Sequence, residues 1–127
     1  MQINSAKDLD VYKRAYRLAM DIFFLTKEWP KEERYALTDQ IRRSSRSVCT
    51  NLKEAWAKRR YEAHFISKLT DSDGENAETE AWLDFAKDCN YINEKEYDKF
   101  IVECRGVGSM LGGIIKNAKA FLIKKTL

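Results

Sequence analysis

Apolar side chains recur every three or four residues along four stretches of the chain, and no strand-like alternation interrupts them. That period is helical. It predicts helices over about residues 7–27, 30–60, 62–89 and 94–124. Ser5 stands as a cap before the first, with Asp8 three residues on as a weak capping box. Pro30, the one proline, suits the opening turn of the second. Asn93 precedes Glu94, Lys95 and Glu96, an Asn cap with Glu at the third helical position.

Two seams are cleanest. Leu37, Ile41, Ser44, Val48, Asn51 or Leu52, and Ala55 alternate by four and three on the second stretch. Tyr97, Ile101, Cys104, Gly108, Leu111, Ile115, Ala118 and Leu122 do so on the fourth. Such a seam keeps facing a neighbouring helix. A helix of about 25 residues is about 37 Å long, and short connections make such helices antiparallel neighbours. The fold class is therefore all-α, an up-down antiparallel four-helix bundle in a single domain spanning 1–127. The Thr70–Asn76 stretch offers little to a core. Phe65 and Leu69 nevertheless stay in phase with Asn76, Thr79 and Leu83, which predicts one continuous third helix.

The first helix carries two apolar stripes, Leu9, Tyr12, Tyr16, Ala19 and Phe23 beside Val11, Ala15, Leu18, Ile22 and Leu25. On the third, Trp82, Phe85 and Cys89 lean away from Phe65, Leu69, Leu83 and Ala86. A monomeric bundle helix usually shows one stripe. Either neighbours cover these helices unusually well, or the second stripes are a subunit interface, which is the expectation here.

Composition narrows the class. The 127 residues are 44% hydrophobic and 34% charged, with five Gly and one His, which fits an ordinary globular domain. No apolar run approaches the ~20 residues that cross a bilayer. Met1–Asp8 holds no apolar signal core, so a cytoplasmic protein is expected. Cys49, Cys89 and Cys104 lack any C-x-x-C pairing and read as reduced core thiols. His64 alone supports neither a zinc site nor a Ser or Cys nucleophile, so no cofactor, metal or enzymatic activity is expected. Glu75 and Glu78 have the spacing of a bundle metal pair but no following His. Gly106, Gly108, Gly112 and Gly113 lie inside a helix, with the wrong spacing for a dinucleotide loop. Gly108 and Gly112 suit close approach of another helix.

Charge is uneven. The net mild +3 hides +5 over residues 31–60 and −6 over residues 61–92. Arg42, Arg46, Lys53 and Arg60 fall on one predicted stripe opposite the core seam, and Arg43, Lys58 and Arg59 widen it. A row of cations on a rigid helix can meet RNA or DNA phosphates. The same row can also be a solvated face, or pair with the acidic third helix of its own or a neighbouring subunit.

Several segments together resemble a known family. Asp8-Leu9-Asp10-Val11-Tyr12, Trp29-Pro30-Lys31-Glu32-Glu33 and Leu37-Thr38-Asp39-Gln40-Ile41-Arg42-Arg43-Ser44 carry the likeness. Ser47 through Ala55, Gly74 with Glu78 and Glu80, and Leu83 through Ile92 continue it. The chain resembles the four-helix bundle proteins encoded in intervening sequences of bacterial 23S ribosomal RNA genes. That resemblance implies a homopentameric ring without enzymatic activity. The chain is similar, too, to accessory variability proteins of diversity-generating retroelements, which implies RNA or DNA and a reverse transcriptase as partners.

The matched polar residues Gln40, Ser47, Asn51 and Glu54, with Lys58, line one flank of the second helix. A polar row at a core edge is expected to hydrogen-bond across a helix or subunit contact, with Arg43 joining it, because an unpaired buried group costs about 1–3 kcal/mol. Two functions remain: a nucleic-acid-binding accessory oligomer using the basic helix, or a purely structural oligomer that binds itself or another protein.

Overall fold

A computed structural model of the protein describes residues 2–124. Among these residues there are four α-helices and no strand: α1 Asp10–Thr26, α2 Asp39–Ala57, α3 Glu62–Asp88 and α4 Glu94–Lys116. Polar contacts between side chains fix their directions. Tyr12 at the start of α1 meets Lys53 near the end of α2, and Phe23 at the far end of α1 meets Arg42 near the start of α2. Glu54 pairs with Lys68 and Ser44 with Thr79, so α2 and α3 run antiparallel. Asp84 meets Tyr97, and Asn76 meets Cys104, so α3 and α4 do too. Arg14 and Glu103 close the circuit between α1 and α4.

The core is built largely from the predicted seams, except that on α4 Phe100 and Val107 are buried with Ile101, Cys104 and Leu111, while the expected Tyr97, Gly108 and Ile115 are only partly covered. Ile22, Ile41, Leu52, Phe65, Leu69, Leu83, Val107 and Leu111 are almost wholly excluded from water. Burial of each such side chain contributes about 1.5–3 kcal/mol relative to leaving it exposed. The α1 stripe of Val11, Ala15, Leu18 and Ile22 faces this core, while Tyr12 and Ala19 are covered at its edge. Tyr16, Met20 and Phe24 of α1, Phe85 of α3 and Val102 of α4 stay exposed.

Four helix ends differ from the expected spans. Asp8 accepts the N–H groups of Asn4 and Ser5, at 2.8 and 3.1 Å, in a single 3-10 turn over Ala6–Asp8. Leu9 is then extended, so α1 starts at Asp10. Pro30 opens no α-helix, because its ψ of 142° is extended. A 3-10 turn over Lys31–Glu33 and a wide turn over Arg34–Thr38 follow, with Ala36 at φ −123°, ψ −106°. The regular helix begins only at Asp39, and at the other end Lys58 leaves the helical conformation and closes it. α4 stops at Lys116, where Asn117 leaves the helical conformation at φ −109°, ψ 30° and its side-chain amide donates to the Gly113 carbonyl at 3.0 Å. A 3-10 turn over Ala118–Phe121 completes the described chain, and the predicted span to residue 124 is cut short.

The polar middle of α3 is continuous helix, as its phase predicts. Ser72, Asn76 and Thr79 point inward and are buried. Ser72 Oγ donates to the Val48 carbonyl at 2.8 Å, Thr79 and Ser44 share a 2.8 Å hydroxyl contact, and Asn76 Nδ2 donates to the Cys104 carbonyl at 2.8 Å. At the end of α3, Asn90 takes a left-handed φ of 62°, and the Tyr91 N–H reaches back to the Ala86 carbonyl. The capping box that opens α4 forms as expected, Asn93 with Glu96.

Candidate nucleic-acid interface

The seven cations expected on one stripe are dispersed. Arg42 is half-buried at the α1–α2 seam rather than opposite the core: Nε donates to Thr26 Oγ1 at 2.7 Å, and its guanidinium lies 4.8 Å from the centre of the Phe23 ring. Arg46 is exposed and leans on the same ring at 5.7 Å. Lys53 is exposed, its ammonium 5.7 Å from the Tyr12 ring. Arg43 turns the other way and pairs with Glu75 and Glu78 of α3, which raises its pKa. Lys58, Arg59 and Arg60 lie past the end of α2 in the turn to α3, so Arg60 is not on the helical stripe.

Arg59 is a structural tie. Its guanidinium stacks 3.6 Å from the centre of the Trp56 ring, Nε donates to the Trp56 carbonyl at 2.8 Å, and Nη1 donates to the Phe121 carbonyl at 3.2 Å. Burial lowers its pKa. Lys58 and Arg60 remain exposed.

The polar row on α2 also forms differently. Asn51 Nδ2 donates to the Ser47 carbonyl of its own helix at 2.9 Å, not across a contact. Gln40 accepts from Arg43, which is occupied with α3 instead of continuing toward Glu54. Glu54 is exposed and pairs with Lys68 at 2.6 Å, which holds its carboxyl below the usual range. The buried polar groups that cross between helices sit on α3 instead. Asn76 and Thr79 stand in phase with the core seam in the sequence, whereas Ser72 at the same spacing is masked by its acidic, Gly-containing surround.

Asp71, Glu75 and Glu78 of α3 meet cations rather than one another. Arg43 stands between Glu75 and Glu78, where a metal would have to sit, and Lys68 reaches Asp71 at 3.5 Å as well as Glu54. Exposed pairs of this kind contribute about 1 kcal/mol or less. Cys49 and Cys104 are buried, and burial pushes their thiols up to about 11 and about 12, whereas Cys89 is exposed and is no core thiol. Gly112 has open space about it, so no helix of this chain closes on it, while Gly108 lies close to Asn76.

A basic surface forms that the second helix only partly supplies. A groove of about 540 Å³ runs along α1, lined by Lys7, Tyr12, Lys13, Tyr16, Arg17 and Met20. Lys53 joins it through Tyr12, and beyond its far end Arg42, Arg46 and Lys27 gather on Phe23. In the sequence these α1 aromatics stand out as an apolar stripe. The cations interleaved with them at helical spacing are what make the face basic. Cations and aromatic rings on one rigid surface suit phosphates and bases together. No described helix is long and apolar enough to cross a membrane.

Comparison with known proteins agrees with this fold. A structure described as a protein of unknown function from the S23 ribosomal protein family, from Bacteroides thetaiotaomicron VPI-5482, superposes with a TM-score of 0.77 at 30% identity, over 84% of this chain and 95% of that one. No curated protein matches the chain. Residues 7–113 match the family described as 23S rRNA-intervening sequence protein. On the strength of that match across α1, α2, α3 and most of α4, the chain belongs to the 23S rRNA-intervening sequence protein family.

Proposed function

We propose that this protein is a non-enzymatic, cytoplasmic, homo-oligomeric accessory factor that binds RNA or DNA through the α1–α2 face. One observation carries the reading: Lys7, Lys13 and Arg17 line a groove together with Tyr12 and Tyr16, Lys53 lies against Tyr12, and Arg46 stands further along the seam. Such cations meet phosphates and carry little sequence information, so binding is general rather than base-specific. Copies in a ring multiply a weak site. The likeness to retroelement accessory proteins supports a reverse transcriptase as a further partner.

Fluorescence anisotropy with mixed-sequence RNA and DNA across a salt series tests this. Affinity falls steeply with salt as counterion release loses its advantage. Arg46→Glu with Lys53→Glu abolishes binding while light scattering reports the wild-type mass. Arg42→Glu is a poor probe, because Arg42 ties α2 to α1. Absence of binding by wild-type protein at ~50 mM salt, where phosphate contacts are strong, rejects the reading.

A second reading rests on charge complementarity. Exposed Phe85 with Trp82, Leu37 and Cys89 lines a hollow at the acidic α3, on another part of the bundle from the basic α1–α2 face. A head-to-tail contact between copies would cover both. If Lys13→Glu with Arg17→Glu reduces the oligomer mass toward 14.9 kDa, this structural reading replaces the first.

A further inference from the structure

We infer that the α1–α2 face selects single-stranded over duplex nucleic acid, with Tyr16 and Phe24 as base-stacking platforms; this rests on the proposed nucleic-acid function. The two rings are 54% and 57% exposed, unusual for aromatics on a helix whose opposite face fills a core. Neither is isolated. Tyr16 is the outer member of a stack with Tyr12, ring centres 6.1 Å apart and planes 27° from parallel. Phe24 stands edge-on to Phe23 at 5.3 Å. Each ring is thus held by a partner that the bundle itself fixes, and little side-chain freedom is lost on binding.

Cations bracket both platforms. Lys13 and Arg17 share the groove with Tyr16, and Lys27 lies 5.3 Å from the centre of the Phe24 ring. Eight residues separate Tyr16 from Phe24, about 12 Å along the helix axis at 1.5 Å per residue. Asp21, the exposed acid between them, is about 140° round the helix from Tyr16 but only about 60° from Phe24, so the cations there, not a lack of acid, set the charge of the second platform. A single strand can offer unstacked bases to the rings and phosphates to the cations at once. In a duplex the base faces are already stacked on one another, so only its phosphates can engage, and the protruding rings contribute nothing. Stacking is tolerant of base identity, because every base has a π-face.

The test uses a labelled RNA of roughly 20 nucleotides, longer than the ~4–16-nucleotide sites of single-strand binders. It is presented to the full chain alone and annealed to its complement, and a DNA of the same sequence is run alongside. Wild-type protein binds the single strands more tightly. Tyr16→Ala or Phe24→Ala lowers single-strand affinity roughly 5- to 100-fold, the range of one base–aromatic stack. For Phe24→Ala, which lies outside the groove, duplex affinity and the salt slope stay as in wild type, because no charge is removed. Tyr16→Trp restores binding. Equal wild-type affinity for strand and duplex overturns the inference and leaves the phosphate reading standing. So does an alanine variant that weakens both alike, or one that changes the mass seen by light scattering, which assigns the rings to a second copy. Binding of neither form rejects the inference together with the proposed function.

Discussion

Arg42 of α2 hydrogen-bonds Thr26 of α1 through a 2.7 Å contact and lays its guanidinium on Phe23, one turn back along the same helix. The residue therefore joins two helices at a half-buried site. Arg42→Ala lowers stability by about 1.5–3 kcal/mol, the usual range for a hydrogen bond to a charged group. Arg46→Ala, whose side chain is exposed, changes it by about 0.5 kcal/mol or less. Urea midpoints of the two variants distinguish them; equal values show that Arg42 is a surface charge.

Asn76 offers a sharper test of the core. Its Nδ2 donates to the Cys104 carbonyl, while Oδ1 is buried without a partner. Asn76→Ala loses the bond and costs about 1–3 kcal/mol. Asn76→Asp places a carboxyl against a carbonyl oxygen in a dry site, which raises its pKa in the folded state. The penalty is then largest at neutral pH and eases as pH falls through that raised value. Thermal unfolding at neutral and acid pH reads it, and a pH-independent loss shows that water reaches the site.

How much of this was legible beforehand follows the physics of each signal. The helix count and the Val11–Ala15–Leu18–Ile22 core face depend on periodicity, which the sequence carries directly. The early end of α4 depends on Asn117 leaving helical backbone, and the late start of α2 on Ala36 doing so, neither of which periodicity can register. The cation stripe was placed by helical angle alone. Angle puts Arg42, Arg43 and Arg46 near one another, but neighbours decide: Phe23 draws two of them to α1, and Glu75 and Glu78 draw the third to α3.

Tyr91 donates its hydroxyl to Glu33 at 2.8 Å, and the carboxylate beside it pushes the phenol up to about 12 from an ordinary 10.0. The fold thus favours the neutral phenol. Its stabilisation is complete below pH 10 and is lost as pH rises through about 12. Phenolate absorbance follows the ionisation, and Glu33→Gln brings it back toward 10. Tyr97, held up to about 12 by Asp84, answers to Asp84→Asn instead. A late phenol that neither substitution moves removes the assignment.

Thiol chemistry separates the cysteines. A disulfide reagent titrates one group rapidly in the native protein, Cys89, and the remaining two only on unfolding, because Cys49 and Cys104 are buried and disfavour the thiolate. Cys89→Ser abolishes the fast phase. A second fast thiol shows that the core opens under native conditions.

The buried hydroxyl and amide bonds that cross between helices all involve α3: two tie it to α2 and one ties it to α4. The ties of α1, Arg42 with Thr26 and Arg14 with Glu103, are partly open to water. Resistance to local opening is therefore unequal round the bundle, and α1 is the helix that detaches at least cost, carrying its amides into solvent while α3 stays protected. A strand lying across α1 and α2 would clamp that least secured helix, so deuterium uptake along Asp10–Thr26 slows when the face is occupied.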